Sequence, residues 1–208
     1  MRLSAKTLIA AAVLATAPML AHAESTFTTG TGTPITASAR VDFTITVPKV
    51  LFLQVGTGTA SATNAAVNLI TFNVAAADVG SGTPVAATAA SGDLGNGVVT
   101  ARVLGNNGTV TLTSATPGAL NNGVAGDTIS YSQISTTAAT LTSATALPAP
   151  ALADGATTTL TIAPATGKLV NRDARWTYSY LNGNVAAPGT YGGINANNGR
   201  VTYTASMP

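Results

Sequence analysis

The chain has 208 residues, of which 46% are hydrophobic and 8% are charged, and its formal net charge is +2. Nine basic against seven acidic residues leave no basic surplus of the kind that binds nucleic acid or an anionic membrane, so neither is expected as a partner. The sequence contains no cysteine, which excludes disulfide bonds and thiol chemistry.

The first 23 residues have the features of a signal peptide. Arg2 and Lys6 stand before a mostly apolar stretch at residues 8–20, and the sequence AHA at 21–23 has the small-x-small pattern of a signal-peptidase site. We therefore expect export through the periplasm to the cell surface or the medium. Removing 23 of the 208 residues leaves 185, the length of one domain, with seven basic and seven acidic residues and no histidine. No later stretch has about 18 consecutive apolar residues, so no membrane span is expected after signal removal.

A long one-sided strand is predicted near the mature N-terminus. After a Gly- and Thr-rich segment at 24–34, expected to be flexible, residues 35–47 place an apolar side chain at every odd position. A strand collects alternate side chains on one face, whereas a helix would scatter them. The apolar set is Ile35, Ala37, Ala39, Val41, Phe43, Ile45 and Val47. Pro48 ends the run, because proline cannot donate to a central ladder.

The rest of the chain shows short alternating runs broken by Gly, Pro and Asn. These runs predict further strands at 50–55, 65–74, 98–104, 109–114, 128–134, 157–163, 175–181 and 200–205. The sequence GNNG at 105–108 predicts a tight hairpin between two of them. The prediction is a single all-β domain over residues 35–208, an antiparallel immunoglobulin-like β-sandwich, with the strand at 35–43 available to complete it.

The sequence offers little for catalysis or metal binding. Nucleophilic and acid–base catalysis usually draw on His, Cys, Lys or paired carboxylates, and no sequence motif of a hydrolase, a nucleotide site or an EF-hand is present. The acidic residues stand singly in the sequence: Glu24, Asp42, Asp78, Asp93, Asp127, Asp154 and Asp173. We predict no enzyme, no cofactor and no transition-metal site. A calcium ion on Asp and backbone oxygens stays open, as does a cleft that pairs two Asp residues.

The aromatic residues Trp176, Tyr178 and Tyr180 alternate along one predicted strand. The favoured interpretation is a core-facing strand with the sole tryptophan as its anchor. The alternative is an exposed platform that stacks on sugar rings, which would make the protein a self-complete secreted binding module.

The N-terminal strand has two uses that its sequence allows. It can pair within its own sandwich, or it can complete the sheet of a neighbour by strand addition. Burying the five odd side chains from Ile35 to Phe43 contributes roughly 5–10 kcal/mol, since a large apolar side chain contributes about 1.5–3 kcal/mol and Ala less. Ordering about nine residues costs roughly 9–18 kcal/mol of backbone entropy, offset by ladder hydrogen bonds. Energetics therefore permit both uses.

The two ends of the mature chain carry a family resemblance. ARVD at 39–42 followed by VLFLQVG at 50–56, and APGTYGG at 187–193 followed by RVTYTAS at 200–206, are similar to the terminal regions of bacterial chaperone–usher pilins. The closest resemblance is to the disulfide-free branch related to CFA/I-type fimbriae. INANNG at 194–199 separates the last two stretches more than the pilin pattern does.

The resemblance implies a fold and a function. Such pilins lack the last strand of the sandwich, and the N-terminal extension of the next subunit fills the groove. It implies a donor segment at about 35–43, with candidates Ile35, Ala37, Ala39, Val41 and Phe43, and a groove lined by 50–55 and the terminal strand. The implied partners are copies of the chain, other fimbrial subunits and a periplasmic chaperone. The expected function is that of a non-enzymatic structural subunit of a fimbria.

Overall fold

The computed structural model describes residues 25–208, and the signal peptide predicted for residues 1–23 lies outside them. The chain divides into two units, Met1–Val47 and Pro48–Pro208. The predicted domain start at residue 35 therefore differs from the compact unit, which begins at Pro48.

The second unit is built of β-strands joined by loops. Its strands are β1 (Leu51–Val55), β2 (Val85–Ala86), β3 (Val98–Gly105), β4 (Val110–Ala115), β5 (Leu120–Asn121), β6 (Thr128–Ile129), β7 (Ile134–Ala139), β8 (Thr157–Ile162), β9 (Val170–Tyr180) and β10 (Thr202–Ser206). Two short 3₁₀ turns, Ala76–Asp78 and Tyr131–Gln133, are the helical elements of residues 25–208. Thr, Val and Ile dominate the strands because their branched Cβ atoms favour extended backbone.

The strands form two antiparallel sheets that pack face to face. The first sheet has the order β1-β3-β9-β2, and β7 also pairs with β9. The second sheet has the order β10-β4-β8, and β5 and β6 form a separate small pair. β3 and β7 both pair with the stretch 175–177 of β9, so they lie on its opposite edges. The predicted all-β antiparallel sandwich is confirmed.

Several predicted elements are different in the structure. Residues 65–74 form no strand and contribute only a bridge from Phe72 to Ala87. The sequence GNNG at 105–108 is not the turn of a hairpin, because β3 and β4 belong to different sheets. It carries the chain from one sheet to the other. The stretch 128–134 is divided among β6, a 3₁₀ turn and the first residue of β7.

The core lies between the two sheets around Trp176. Its indole is fully buried, and Nε1 donates a hydrogen bond of 2.7 Å to the carbonyl oxygen of Leu147. Leu112 of the second sheet and Val103 of the first are also completely buried in this cluster. Leu147 belongs to the loop that crosses from β7 to β8, so the loop closes this side of the core.

Asp173 fixes the start of the same loop. The carboxylate accepts hydrogen bonds from the backbone N–H and hydroxyl groups of Thr142 and Ser143, and it lies 3.7 Å from Nε of Arg102. Burial alone would raise the pKa of Asp173, but these hydrogen bonds outweigh it and hold the pKa well below its ordinary value of 3.8. The negative charge is therefore part of the folded structure.

Replacing Leu112 with Ala is expected to lower the free energy of unfolding by about 2–5 kcal/mol, because it leaves a cavity between the sheets. Urea unfolding followed by circular dichroism measures the loss. The matched variant Thr111→Ala changes an outward neighbour on β4 and should cost at most about 1 kcal/mol. Equal losses in the two variants would contradict the packing described.

Asp173 should make the protein sensitive to acid. Its pKa is lower in the folded than in the unfolded state, so its contribution to stability is complete above pH 3.8 and is lost as the pH falls toward the folded pKa. Asp173→Asn should be less stable at neutral pH, and its unfolding free energy should fall less steeply below about pH 4. Leu112→Ala, by contrast, should lower stability equally at each pH. If the unfolding free energies of wild type and Asp173→Asn, measured by urea titration, fell equally steeply below about pH 4, the role of the carboxylate would be refuted.

Candidate functional site

The N-terminal segment 25–47 exposes its apolar side chains. No strand is assigned within it, and each of its residues is solvent-exposed, including Ala37 and Ala39. The exposed fractions of the larger odd-position side chains are 50% for Ile35, 75% for Val41, 87% for Phe43, 85% for Ile45 and 72% for Val47. A row of exposed apolar side chains of this kind is unusual on the surface of a folded protein. We call residues 35–47 the arm.

Residues 26–38 fold back on themselves. Thr26 Oγ1 donates to the carbonyl oxygen of Ser38 at 2.7 Å, and Thr28 Oγ1 donates to that of Thr36 at 3.2 Å. The segment predicted to be flexible, 24–34, thus contains a reversal of the chain. The first residues of the arm take part in it.

The second unit contains an open cavity of about 1130 Å³ between its two sheets. Leu53 and Val55 of β1 line one wall, and Tyr203 of β10 lines the other. Lys49 Nζ donates to the carbonyl oxygen of Pro208 at 3.3 Å, so the start of β1 lies beside the end of β10. We call this cavity the groove.

β1 and β10, which border the groove, each have an edge without a partner strand among residues 25–208. β1 pairs only with β3, and β10 pairs only with β4. Each strand therefore presents one row of backbone N–H and C=O groups without a ladder partner, which is a template for another strand. Of the predicted groove lining, Leu53 and Val55 from residues 50–55 and Thr202 and Tyr203 from the terminal strand border the cavity, together with residues of the loops at 66–74 and 186–194.

The aromatic residues of β9 form the inner wall of the sandwich. Trp176 is 0% exposed and packs against Tyr203, with ring centroids 5.3 Å apart. The hydroxyl groups of Tyr178 and Tyr203 lie 2.9 Å apart and join the two sheets. An exposed stacking platform of Trp176, Tyr178 and Tyr180 is therefore wrong, because the three side chains are at most 8% exposed. Tyr178 and Tyr180 also line the groove.

The tyrosines around the groove stay neutral over a wide pH range. Burial raises the pKa of Tyr178 to about 12, although the hydrogen bond with Tyr203 acts in the opposite direction. Burial and the neighbouring Tyr178 raise the pKa of Tyr203 well above 10. Burial also raises the pKa of Tyr131 to about 12. The buried tyrosines at the groove are thus uncharged at neutral pH, and they share the lining with apolar side chains, with polar ones such as Asn182 and with Arg200.

Asn106 fixes the chain where it enters β1. Its Oδ1 accepts from the backbone N–H of Val50 at 2.8 Å, its Nδ2 donates to the carbonyl oxygen of Pro48 at 2.8 Å, and its own N–H donates to Val50 at 3.3 Å. Sequence reasoning assigned Asn106 to a turn and missed this contact. The only signal was its position in the GNNG sequence, which does not specify a partner so distant along the chain.

Three carboxylates of the second unit accept hydrogen bonds from nearby loop or strand residues. The pairs are Asp93 with Thr100 N–H, Asp127 with Asn122 Nδ2, and Asp154 with Tyr131 N–H. Among residues 25–208, no three acidic residues are grouped so that they could hold a metal ion. The same residues contain no helix of the length and hydropathy that a membrane crossing requires.

Family models, curated proteins and solved structures were compared with the chain, and none of them matches it. The resemblance to pilins is therefore carried by the sequence features given above.

Alkaline titration of the folded protein should reveal the raised pKa values of the buried tyrosines. A tyrosine whose pKa is higher in the folded state stabilises the fold below its unfolded pKa of 10, and that stability is lost as the pH rises through the folded pKa. At about pH 11, the near-ultraviolet absorbance of tyrosinate should be much lower for the folded protein than for the protein in urea. Tyr203→Phe should remove one of the late-titrating groups. Ionisation of all five tyrosines near pH 10 with native circular dichroism would contradict the burial described.

Proposed function

We propose that this protein is a non-enzymatic, exported structural subunit of a bacterial fimbria or cell-surface assembly, in which the arm of one copy enters the groove of the next as a β-strand. The observation that carries the proposal is the presence, in one chain, of an exposed arm with apolar side chains at alternate positions and a largely apolar groove bordered by β1 and β10, each of which has one edge without a partner strand among residues 25–208. The resemblance to pilins supports the same function.

The arm and the groove are complementary in chemistry. Burial of Val41, Phe43, Ile45 and Val47 contributes about 1.5–3 kcal/mol for each side chain. Backbone hydrogen bonds to a free strand edge add roughly 0.5–1.5 kcal/mol each. Arg40 and Asp42 lie on the opposite face of an extended arm, so no charged side chain needs to enter the groove. An extended strand can therefore bury its apolar face in the groove and form backbone hydrogen bonds with a strand edge at the same time.

The strand order also supports the proposal. In an immunoglobulin-like sandwich, strands A, B and E lie together in one sheet, and strand G follows C and F in the other. Here β1, β3 and β9 follow the order of A, B and E, and β4 and β10 follow that of C and F. Beyond β10, in the place of strand G, the sheet contains no strand from residues 25–208. A strand inserted beside β10 would complete the second sheet.

The chain before β1 favours a neighbouring copy as the acceptor. An arm that turned back into its own groove would have to reverse direction just before β1. Pro48 and Val50 are held by Asn106 in a strand-like pairing with the residue after β3, which a tight reversal at this point would break. Residues 43–47 (FTITV) contain no Gly, Asn or Asp for a turn. Insertion into a second copy requires neither change.

Light scattering of the purified mature chain tests the proposal. We expect an open-ended series of oligomers that becomes shorter when a synthetic peptide of residues 35–47 is added in excess, because the peptide occupies the grooves at the growing ends. A single monomeric species that does not respond to the peptide would contradict it. In that case the alternative is a self-complete binding module, and screening for carbohydrate binding would follow.

Phe43→Asp in the full mature chain should abolish the oligomers, because it brings an unpaired charge into an apolar groove. The matched variant Thr44→Asp adds the same charge to the opposite face of the arm and should assemble much as the wild type does. Both variants should have the same unfolding midpoint in urea as the wild type when they are monomeric. Unchanged assembly of Phe43→Asp would remove the arm from the proposal.

A further inference from the structure

Residues 66–74, which we call the acceptor segment, lie within the stretch 65–74 whose pattern predicts a strand, yet they form no ladder. Resting on the proposed function, we infer that the acceptor segment is the edge that receives the arm of a second copy. The arm pairs with it through the backbone, and the segment then becomes the strand that its sequence predicts. The arm is the occupant because this chain supplies it with exposed apolar side chains at alternate positions.

The acceptor segment already has the backbone of a strand. Between residues 63 and 75 the chain makes no turn or bend, and the nearest residues with positive φ are Ser61 on one side and Gly80 on the other. All nine residues of the segment border the groove. The groove therefore has, along one side, an extended edge as long as an ordinary strand.

One edge of the acceptor segment is occupied. The carbonyl oxygen of Thr71 accepts a hydrogen bond from the N–H of Thr88 at 2.8 Å, and the N–H of Thr71 donates to Ser91 Oγ at 2.9 Å. The bridge between Phe72 and Ala87 belongs to the same contact. Residues 87–91 therefore hold the segment along the edge to which Thr71 points.

The other edge of the acceptor segment is free. In an extended chain, the N–H and C=O groups of successive residues point to opposite edges, so those of Asn68, Ile70 and Phe72 point away from Thr71's partners. The backbone groups of these three residues have no hydrogen-bond partner among residues 25–208. They form a row that another strand can pair with.

β1 and β10 offer a shorter edge to an entering strand. Two residues of each line the groove, namely Leu53 and Val55 of β1 and Thr202 and Tyr203 of β10. Cα atoms of β1 and β10 also come within 8 Å of each other, whereas a strand placed between two edges needs about 9.6 Å, twice the usual spacing of neighbouring strands. An arm paired with the acceptor segment would still lie in the groove that Thr202 and Tyr203 border.

The loop at 186–194 is the other long stretch of the groove lining. It has positive φ at Gly189, Gly192 and Gly193. A residue with positive φ departs from extended backbone, so this stretch presents no straight edge for a ladder. The acceptor segment is therefore the part of the lining that fits a strand.

The side chains of the acceptor segment suit the apolar face of the arm. Ile70 and Phe72 pack against the core, and the ring centroid of Phe72 lies 6.3 Å from that of Tyr180. Directly opposed residues of two paired strands project their side chains to the same face. A register that sets the apolar positions of the arm opposite Ile70 and Phe72 therefore adds them to the core side, and the polar positions of the arm then lie on the outer face.

The competing edge of β1 can be told apart by its backbone groups. The N–H of Gly56 donates to the carbonyl oxygen of Thr100 at 2.7 Å, and that of Asn106 donates to the carbonyl oxygen of Val50 at 3.3 Å. The even-numbered residues of β1 therefore bond to β3. The N–H groups on the free edge are those of Leu51, Leu53 and Val55.

Amide exchange followed by nuclear magnetic resonance tests the inference. The synthetic peptide 35–47 is added in excess to the full mature chain of Phe43→Asp, which the proposed function expects to be monomeric. The amides of Asn68, Ile70 and Phe72 should exchange at least tenfold more slowly with peptide than without it. The amide of Leu69 points to the opposite edge, so its exchange should not change.

Each other outcome decides between the two proposals. Slower exchange on the free edge of β1 or in β10, with the amides of Asn68, Ile70 and Phe72 unchanged, would overturn the inference and leave the proposed function standing. If no amide of the second unit slows, the peptide does not enter the groove, and the proposed function fails together with the inference.

Two variants of the full mature chain give a second measurement. Ile70→Pro and Ile70→Ala both lose the packing of the isoleucine, but only proline also removes the N–H. That N–H has no partner in the free chain, so the monomers should have similar unfolding midpoints in urea. The concentration at which half of the chains are in oligomers should be at least tenfold higher for Ile70→Pro. Equal assembly of the two variants would overturn the inference, and if Ile70→Pro does not fold, amide exchange decides alone.

Discussion

The contact between Trp176 on β9 and Tyr203 on β10 joins the two sheets at the centre of the molecule. The chain has no disulfide and few charges, so the sandwich depends on burial and on backbone pairing for its stability. Trp176 is held by Leu147 on one side and packs on Tyr203 on the other, and Tyr178 adds a hydroxyl contact to the same residue. Tyr203 also lines the groove and belongs to β10, which is paired on one edge only among residues 25–208.

An open groove of this kind is a liability for an isolated domain. Proteins usually cover, shorten or charge the edge strands of their sheets, since a free edge invites pairing with other chains. Here β1 and β10 both border the groove and each have one edge unpaired among residues 25–208, and the lining is more apolar than polar. The arm, in turn, exposes apolar side chains that would be expected in a core. Insertion of the arm of one copy into the groove of another would bury both features.

Local patterns predicted the strands that are amphipathic and bounded by turns. β1, β4, β8 and β10 lie within a residue or two of their predicted positions, and the core position of Trp176 follows from its alternation with tyrosines. Residues 65–74 show the same alternation but form no strand, because strand formation also needs a partner edge, which a local pattern does not specify. The GNNG sequence shows the same limitation, since it is compatible with a hairpin and with a crossing between sheets.

The sequence by itself determined the β class, the absence of disulfide and thiol chemistry, and the alternation of the arm, because these depend on composition and on neighbours along the chain. Only the tertiary structure decided which strands share a sheet, that β1 and β10 border a groove, and that Asn106 holds the chain at Val50. These features join residues that are far apart in the chain. The physical reason is that a residue's own propensity describes its backbone, whereas pairing, burial and hydrogen bonding depend on which distant residue lies opposite.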